Sequence, residues 1–275
     1  WLVSRTSKTG MALGFNGVFG SLGFVLAPIV AGALTGLWSW RFAFIVPGIL
    51  CFCVGILFSI SIRIYLKDLE KPIKNYEKKF NSSKNIWITF GLMGLALLLT
   101  GMFHQMVQFS LPKDFDLRVH LTSDSLLGTG SMVALVYAAG AIGQLLCGRL
   151  ADNFSDRHLY FCLFLVTIPL VGMASQLTEI PLVLSMMVVV FLSTGSLPVE
   201  NILLARYAPS NRHGLVFGSK FLLGFGFSSF GIYLSGFIFD VNGSFILLYF
   251  LLVLLATTVA VIAFFLPRLE LTNTV

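Results

Sequence analysis

Gly148-Arg149-Leu150-Ala151-Asp152-Asn153-Phe154-Ser155-Asp156-Arg157-His158 is a short charged turn between two long apolar runs. A helix needs about 20 apolar residues to cross a bilayer core of about 30 Å, and each flanking run nearly or fully meets that length. Working outward from the turn, eight stretches qualify, at about 11–36, 41–62, 86–110, 125–148, 159–176, 181–204, 214–239 and 244–266. The runs are long and do not alternate between polar and apolar residues, which selects helices over barrel strands. Pro28, Pro47, Pro169 and Pro198 fall inside runs, a position that membrane helices tolerate.

Composition agrees. The mean hydropathy is +0.91, and 57% of residues are hydrophobic against 11% charged, where a soluble domain carries about 25% charged. Cys51, Cys53, Cys147 and Cys162 sit in or beside apolar runs and lack the spacing of a metal site or redox pair, so they read as small packing residues. No phosphate cradle, nucleophile–base set or metal-ligand cluster is present. The expectation is therefore no enzyme, no metal and no cofactor, and the positive charge belongs to membrane topology rather than to nucleic acid.

Lysine and arginine fall on alternate breaks between the runs. Fourteen lie on one side (Arg5, Lys8, Arg63, Lys67, Lys71, Lys74, Lys78, Lys79, Lys84, Arg149, Arg157, Arg206, Arg212, Arg268) and three on the other (Arg41, Lys113, Arg118), with Lys220 inside a helix. The positive-inside tendency makes the richer side cytoplasmic, and with it the 148–158 turn and both termini. The polar segment 63–85 divides two helices from six. Its Leu69, Ile73, Tyr76 and Phe80 share a helical face, so it is either a surface helix on anionic headgroups or a solvated tether. Pro112–Ser125, with Asp114, Asp116, Arg118, His120 and Asp124, reads as a solvated loop on the opposite side, with a lid as the alternative.

Residues 10–36 lie over 214–240 at a constant offset of 204, with Gly10, Gly14, Gly20 and Gly32 on Gly214, Gly218, Gly224 and Gly236. Each copy follows a polar, basic segment. Parallel halves related by an axis along the membrane normal are a transporter architecture. If the second half opens near Ile86, its counterpart opens near position −118, which expects four further helices ahead of Trp1 and makes this chain helices 5–12 of twelve.

At this point the residues resemble the major facilitator superfamily. Gly148, Leu150, Ala151, Asp152 and Arg157 match its loop signature G-x-L-a-D-r-x-G-r-[rk], with Ser155 and Asp156 departing from it. Gly14, Gly23, Ala27, Pro28, Ala31 and Gly32 follow the spacing of the fifth-helix motif of proton-coupled exporters, G-x8-G-x3-G-P-x2-G-G, with alanine at two glycine positions. Trp40-Arg41-Phe42 and the Pro209–Gly214 turn are similar to family features too. The resemblance implies an all-α integral membrane bundle of multi-pass type in a plasma (inner) membrane. Residues 1–62 are then the last two helices of the first half, 63–85 the linker and 86–275 the six-helix second half. It implies secondary transport of a small solute by alternating access; Glu200 and the fifth-helix motif point toward a proton as coupling ion and efflux as direction, with cargo, direction and coupling ion left open. A solute sensor on the same fold and a truncated remnant are the alternatives. The oligomeric state stays open.

Physically, Asp152 can pair with Arg149, Arg157 or Arg206, or cap the helix starting near Gly214, and contacts that form on closure make a cytoplasmic gate of Gly148, Arg149, Asp152, Arg157 and Arg206. A constitutive ion pair is the competing reading. Glu200 is the only acid well inside a helix and Lys220 the only base, both roughly 10 Å deep from that side. They are either a coupling pair that a proton breaks or a structural pair. His104, Gln105, Gln108, Tyr137, Gln144, Asn16 and Asn201 are candidates to line a solute cavity, each weighed against an interhelical hydrogen bond.

Overall fold

The computed structural model describes residues 8–65, 86–120, 126–207 and 213–267. Their elements are α1 (Thr9–Leu37), α2 (Phe42–Tyr65), α3 (Ile86–Arg118), α4 (Leu126–Ala151), α5 (Asp156–Ala174), α6 (Glu179–Tyr207), α7 (His213–Phe221), a π-helical turn (Leu222–Phe227), α8 (Ser229–Asn242) and α9 (Ile246–Phe265). Among the described residues every element is helical, and eight spans are long and apolar enough to cross a membrane. They coincide with the eight hydropathy runs.

Two expectations change. The run expected to end at residue 110 continues as helix to Arg118, so Pro112–Arg118 is helix rather than loop, and residues 121–125 lie outside the described set. The extension holds because Asp114 and Arg118, one helical turn apart, pair with each other (Nη2 to Oδ2, and Nε to Oδ1 at 2.8 Å). The run at 214–239 is not one α-helix either. It breaks at the π turn, where Ser228 Oγ donates back to the Leu223 carbonyl at 2.8 Å and to the Leu98 carbonyl of α3 at 3.3 Å.

The chain forms two compact units, residues 1–21 with 79–275 and residues 22–78. In the larger unit α6 packs on both α4 and α5, and α9 lies against α5 and α3. The core is apolar: Phe103, Met106, Phe115, Phe164, Leu182, Leu248 and Leu252 are buried. Outward faces are apolar as well, with Leu165, Val166, Leu184, Phe250 and Leu254 exposed, as expected of helices whose solvent is hydrocarbon. Gly243 links α8 to α9 at φ +65°, with its N–H on the Phe239 carbonyl at 2.7 Å. Glycine reaches that left-handed conformation without a Cβ penalty. The smaller unit holds the end of α1 and α2, where Arg41 lies 5.4 Å from the Trp40 ring. The proposed linker lies outside the described residues from 66 to 85, and so does the 208–212 turn.

Candidate functional site: a buried acid–base cluster and a capped helix

Glu200 sits on α6 two residues after Pro198 and is only 2% exposed. Lys220, on the last turn of α7, brings Nζ to 2.6 Å from its Oε1 and donates to Asn201 Oδ1 at 2.5 Å. The other carboxylate oxygen, Oε2, accepts from the Tyr160 hydroxyl of α5 at 3.1 Å. Tyr160 is fully buried and 2.8 Å from Thr100 Oγ1 on α3. The carboxylate thus joins three helices, and the Tyr160 hydroxyl extends the network to a fourth. The pairing satisfies what burial demands, since an ionised group taken out of water needs both an opposite charge and hydrogen bonds.

The sequence singled out Glu200, Lys220 and Asn201, and the structure brings all three together. Tyr160 and Thr100 were missed. The signal for Tyr160 was available: a tyrosine within an apolar run needs a partner for its hydroxyl when that run is buried.

At one end of the bundle, Asp152 caps a helix. Its Oδ1 accepts from the backbone N–H of Gly10 at 2.7 Å and its Oδ2 from that of Met11 at 2.9 Å. An anion there meets unsatisfied N–H groups and the positive end of the helix dipole. The helix is α1, not the one near Gly214; it is the other copy of the 204-residue repeat. Close approach makes the cap reachable. A Cβ on Gly148 would lie 2.5 Å from the Gly10 carbonyl and 3.1 Å from the Gly14 Cα, and one on Gly14 would lie 2.5 Å from the Gln144 carbonyl. These glycines are where two helix backbones touch.

The remaining gate candidates part company. Arg206 pairs with the buried Asp156 at 2.7 Å. Arg157 donates to the Phe264 carbonyl and lies 5.9 Å from that ring's centre. Arg149 is exposed on the last turn of α4. Of the fifth-helix motif, Gly14 packs on α4, Gly23 has nothing within 4 Å of an added Cβ, and the side chains of Ala27, Pro28, Ala31 and Gly32 lie outside the described set.

Among the cavity candidates, Tyr137 donates to the Gln108 carbonyl at 2.7 Å. Gln144, buried, donates from Nε2 to Ser21 of α1 at 3.0 Å. His104 Nδ1 lies 2.8 Å from the Thr100 carbonyl. Its Nε2 and Gln144 Oε1 are buried without a hydrogen-bond partner. Gln105 is buried and Asn16 exposed.

At the opposite end, unanticipated, Arg118 also donates to the carbonyls of Ala174 (3.0 Å), Ser175 (3.3 Å) and Leu177 (3.0 Å). Its partner Asp114 accepts from the Tyr249 hydroxyl at 2.7 Å.

The Major Facilitator Superfamily profile matches residues 2–123 and 93–274. Among solved structures, the chain is similar to FucP, a major facilitator superfamily transporter crystallised in the outward conformation. The identity is 12% and the TM-score 0.70, over 96% of this chain and 69% of that one. At that identity the likeness is one of fold. No curated protein matches the chain.

Proposed function

The chain belongs to the major facilitator superfamily, and from that premise we propose that it is a proton-coupled secondary transporter, moving a small solute by alternating access between two halves. The observation that carries this reading is the buried bridge between Glu200 and Lys220 at 2.6 Å. A proton on Glu200 removes the charge that holds Lys220 and leaves a buried cation without its counter-ion, which drives α7 away from α6. The ion gradient then acts on helix position through one carboxylate.

The halves on this reading are residues 86–275, a complete set of six spans, and residues 1–62, two spans of its counterpart. Asp152 belongs to the first and the N–H groups of Gly10 and Met11 to the second, so the cap is a contact between halves. It forms when that side closes and must break when it opens, while Gly148 keeps the two backbones in reach. Arg206 on Asp156 and the exposed Arg149 complete that end. The excess of cationic residues there supports placing it, with both termini, in the cytoplasm of a cell with the protein in its inner membrane. His104 Nε2 and Gln144 Oε1 are free acceptors for donor groups of a solute; Gln105 and Gln108 share the helix of His104 and Tyr137 that of Gln144, while Asn16 is on α1 and Asn201 on α6. The small residues of α1 favour export.

The test is gradient-driven uptake by the purified full-length protein in vesicles, run with Glu200→Gln. Loss of accumulation with retained solute exchange in the absence of a gradient is the expected result. Undiminished accumulation in the variant would remove the coupling role, and solute binding without any flux would make the protein a sensor.

A further inference from the structure

Arg157 matches the loop signature, yet it is not part of the contact that Asp152 makes. It turns instead to the outer edge of the bundle, where it lines a cavity of about 170 Å³ with His158, Phe161 and Phe264. We propose that this cavity seats the phosphate headgroup of an anionic phospholipid.

Position comes first. Arg157 and His158 stand at the start of the span Asp156–Ala174, and Phe264 at the end of the span Ile246–Phe265. The cavity therefore lies at the depth where hydrocarbon gives way to headgroups.

Charge is the second point. The Arg157 guanidinium donates to the Phe264 carbonyl, and with five N–H groups it has donors left for an anion. His158 is exposed beside it. The neighbouring carboxylates are committed elsewhere: Asp156 faces Arg206 at 2.7 Å, and Asp152 caps α1. The cavity thus presents net positive charge, and the Phe264 carbonyl and ring hold the guanidinium in place.

The walls decide between a lipid and a free anion. The Phe161 and Phe264 rings lie 5.8 Å apart. One helical turn further into the membrane come Leu165 and Val261, 47% and 48% exposed. Apolar surface thus runs continuously from the cationic rim along the outer faces of α5 and α9, a track for an acyl chain beneath a headgroup. Basic pockets between membrane helices are established seats for anionic lipids.

The test titrates delipidated, full-length protein with dioleoylphosphatidylglycerol and, in parallel, dioleoylphosphatidylcholine, counting bound lipid by native mass spectrometry. The glycerol lipid should bind about fivefold more tightly, the contribution of one basic residue near a membrane surface. Arg157→Gln should abolish that preference and Arg157→Lys should keep it. Lys113→Gln, at the other end of the bundle, should change nothing. His158→Glu leaves the Phe264 contact in place and should weaken the glycerol lipid by a similar factor, which keeps the proposal testable should Arg157→Gln misfold. Equal binding of the two lipids overturns the proposal, as does a preference that neither Arg157→Gln nor His158→Glu moves. Displacement of the lipid by millimolar inorganic phosphate overturns it too, because the seat would then belong to a free anion.

Discussion

At the scale of the residue, Glu200 shows how a buried charge is made tolerable. Its carboxylate is 2% exposed and both oxygens are occupied, one by Lys220 and one by Tyr160. Removing one partner of such a pair leaves an uncompensated charge, which costs about 3–5 kcal/mol. Lys220→Met should therefore lower unfolding free energy by about that amount, and the double variant with Glu200→Gln should lose far less than the two single losses added together. A chemical-denaturation cycle in detergent checks this; simple additivity would mean that the two side chains do not act as a pair. Tyr160→Phe removes a smaller part of the support, one hydrogen bond to a charged group, at about 1.5–3 kcal/mol. Its effect should shrink in a Glu200→Ala background to what the remaining bond between the Tyr160 hydroxyl and Thr100 Oγ1 supplies.

Helices, as elements, meet where glycine lets their backbones touch. The crossing of α1 and α4 is set by Gly10, Gly14 and Gly148, whose missing Cβ atoms leave room for carbonyl oxygens. Gly148→Val should push the two apart because the group in its way is backbone, which cannot swing aside. The Asp152 cap should then fail, and the amides of Gly10 and Met11 should exchange with solvent faster than in the parent protein. Unchanged protection at those two amides would show that the cap survives without the close approach. The π turn at Leu222–Phe227 is a second case of an element shaped by its neighbour. Gly224 lies against Gly101 of α3, and Ser228 ties the turn to the Leu98 carbonyl. Such turns are rare and recur at functional positions in helices; here the turn directly follows the helix that carries Lys220.

On the scale of the whole molecule, the two ends of the bundle are built differently. One end joins α4 to α1 through a single carboxylate. At the other, Arg118 gathers Asp114 of its own helix and three carbonyls between α5 and α6, and Asp114 in turn holds Tyr249 of α9. Many contacts converge on one guanidinium, which ties α3, the α5–α6 connection and, through Asp114, α9 together at that end. Arg118→Met should cost about 3–5 kcal/mol, by leaving Asp114 buried without its cation, and should lower the melting temperature. Arg118→Lys should restore only part of that loss, since an ammonium cannot reproduce the planar fork. Full recovery by lysine would reduce the role of Arg118 to its charge.

The eight spans, the family and the singling out of Glu200 and Lys220 were legible along the chain. Each follows from local properties, because apolar length decides what crosses a bilayer and a charge inside an apolar run stands out. The extent of α3 was half legible, for Asp114 and Arg118 stand at helical spacing, but their pairing outweighs the polarity that suggested a loop. Only the tertiary structure decided who meets whom: Asp152 with the N-terminus of α1 rather than the helix near Gly214, Arg157 with Phe264 rather than Asp152, and Tyr160 with Glu200. The reason is physical. Partner choice depends on how each helix is rotated and how closely its backbone approaches another, and both are set by packing between residues as far apart in sequence as Gly10 and Asp152.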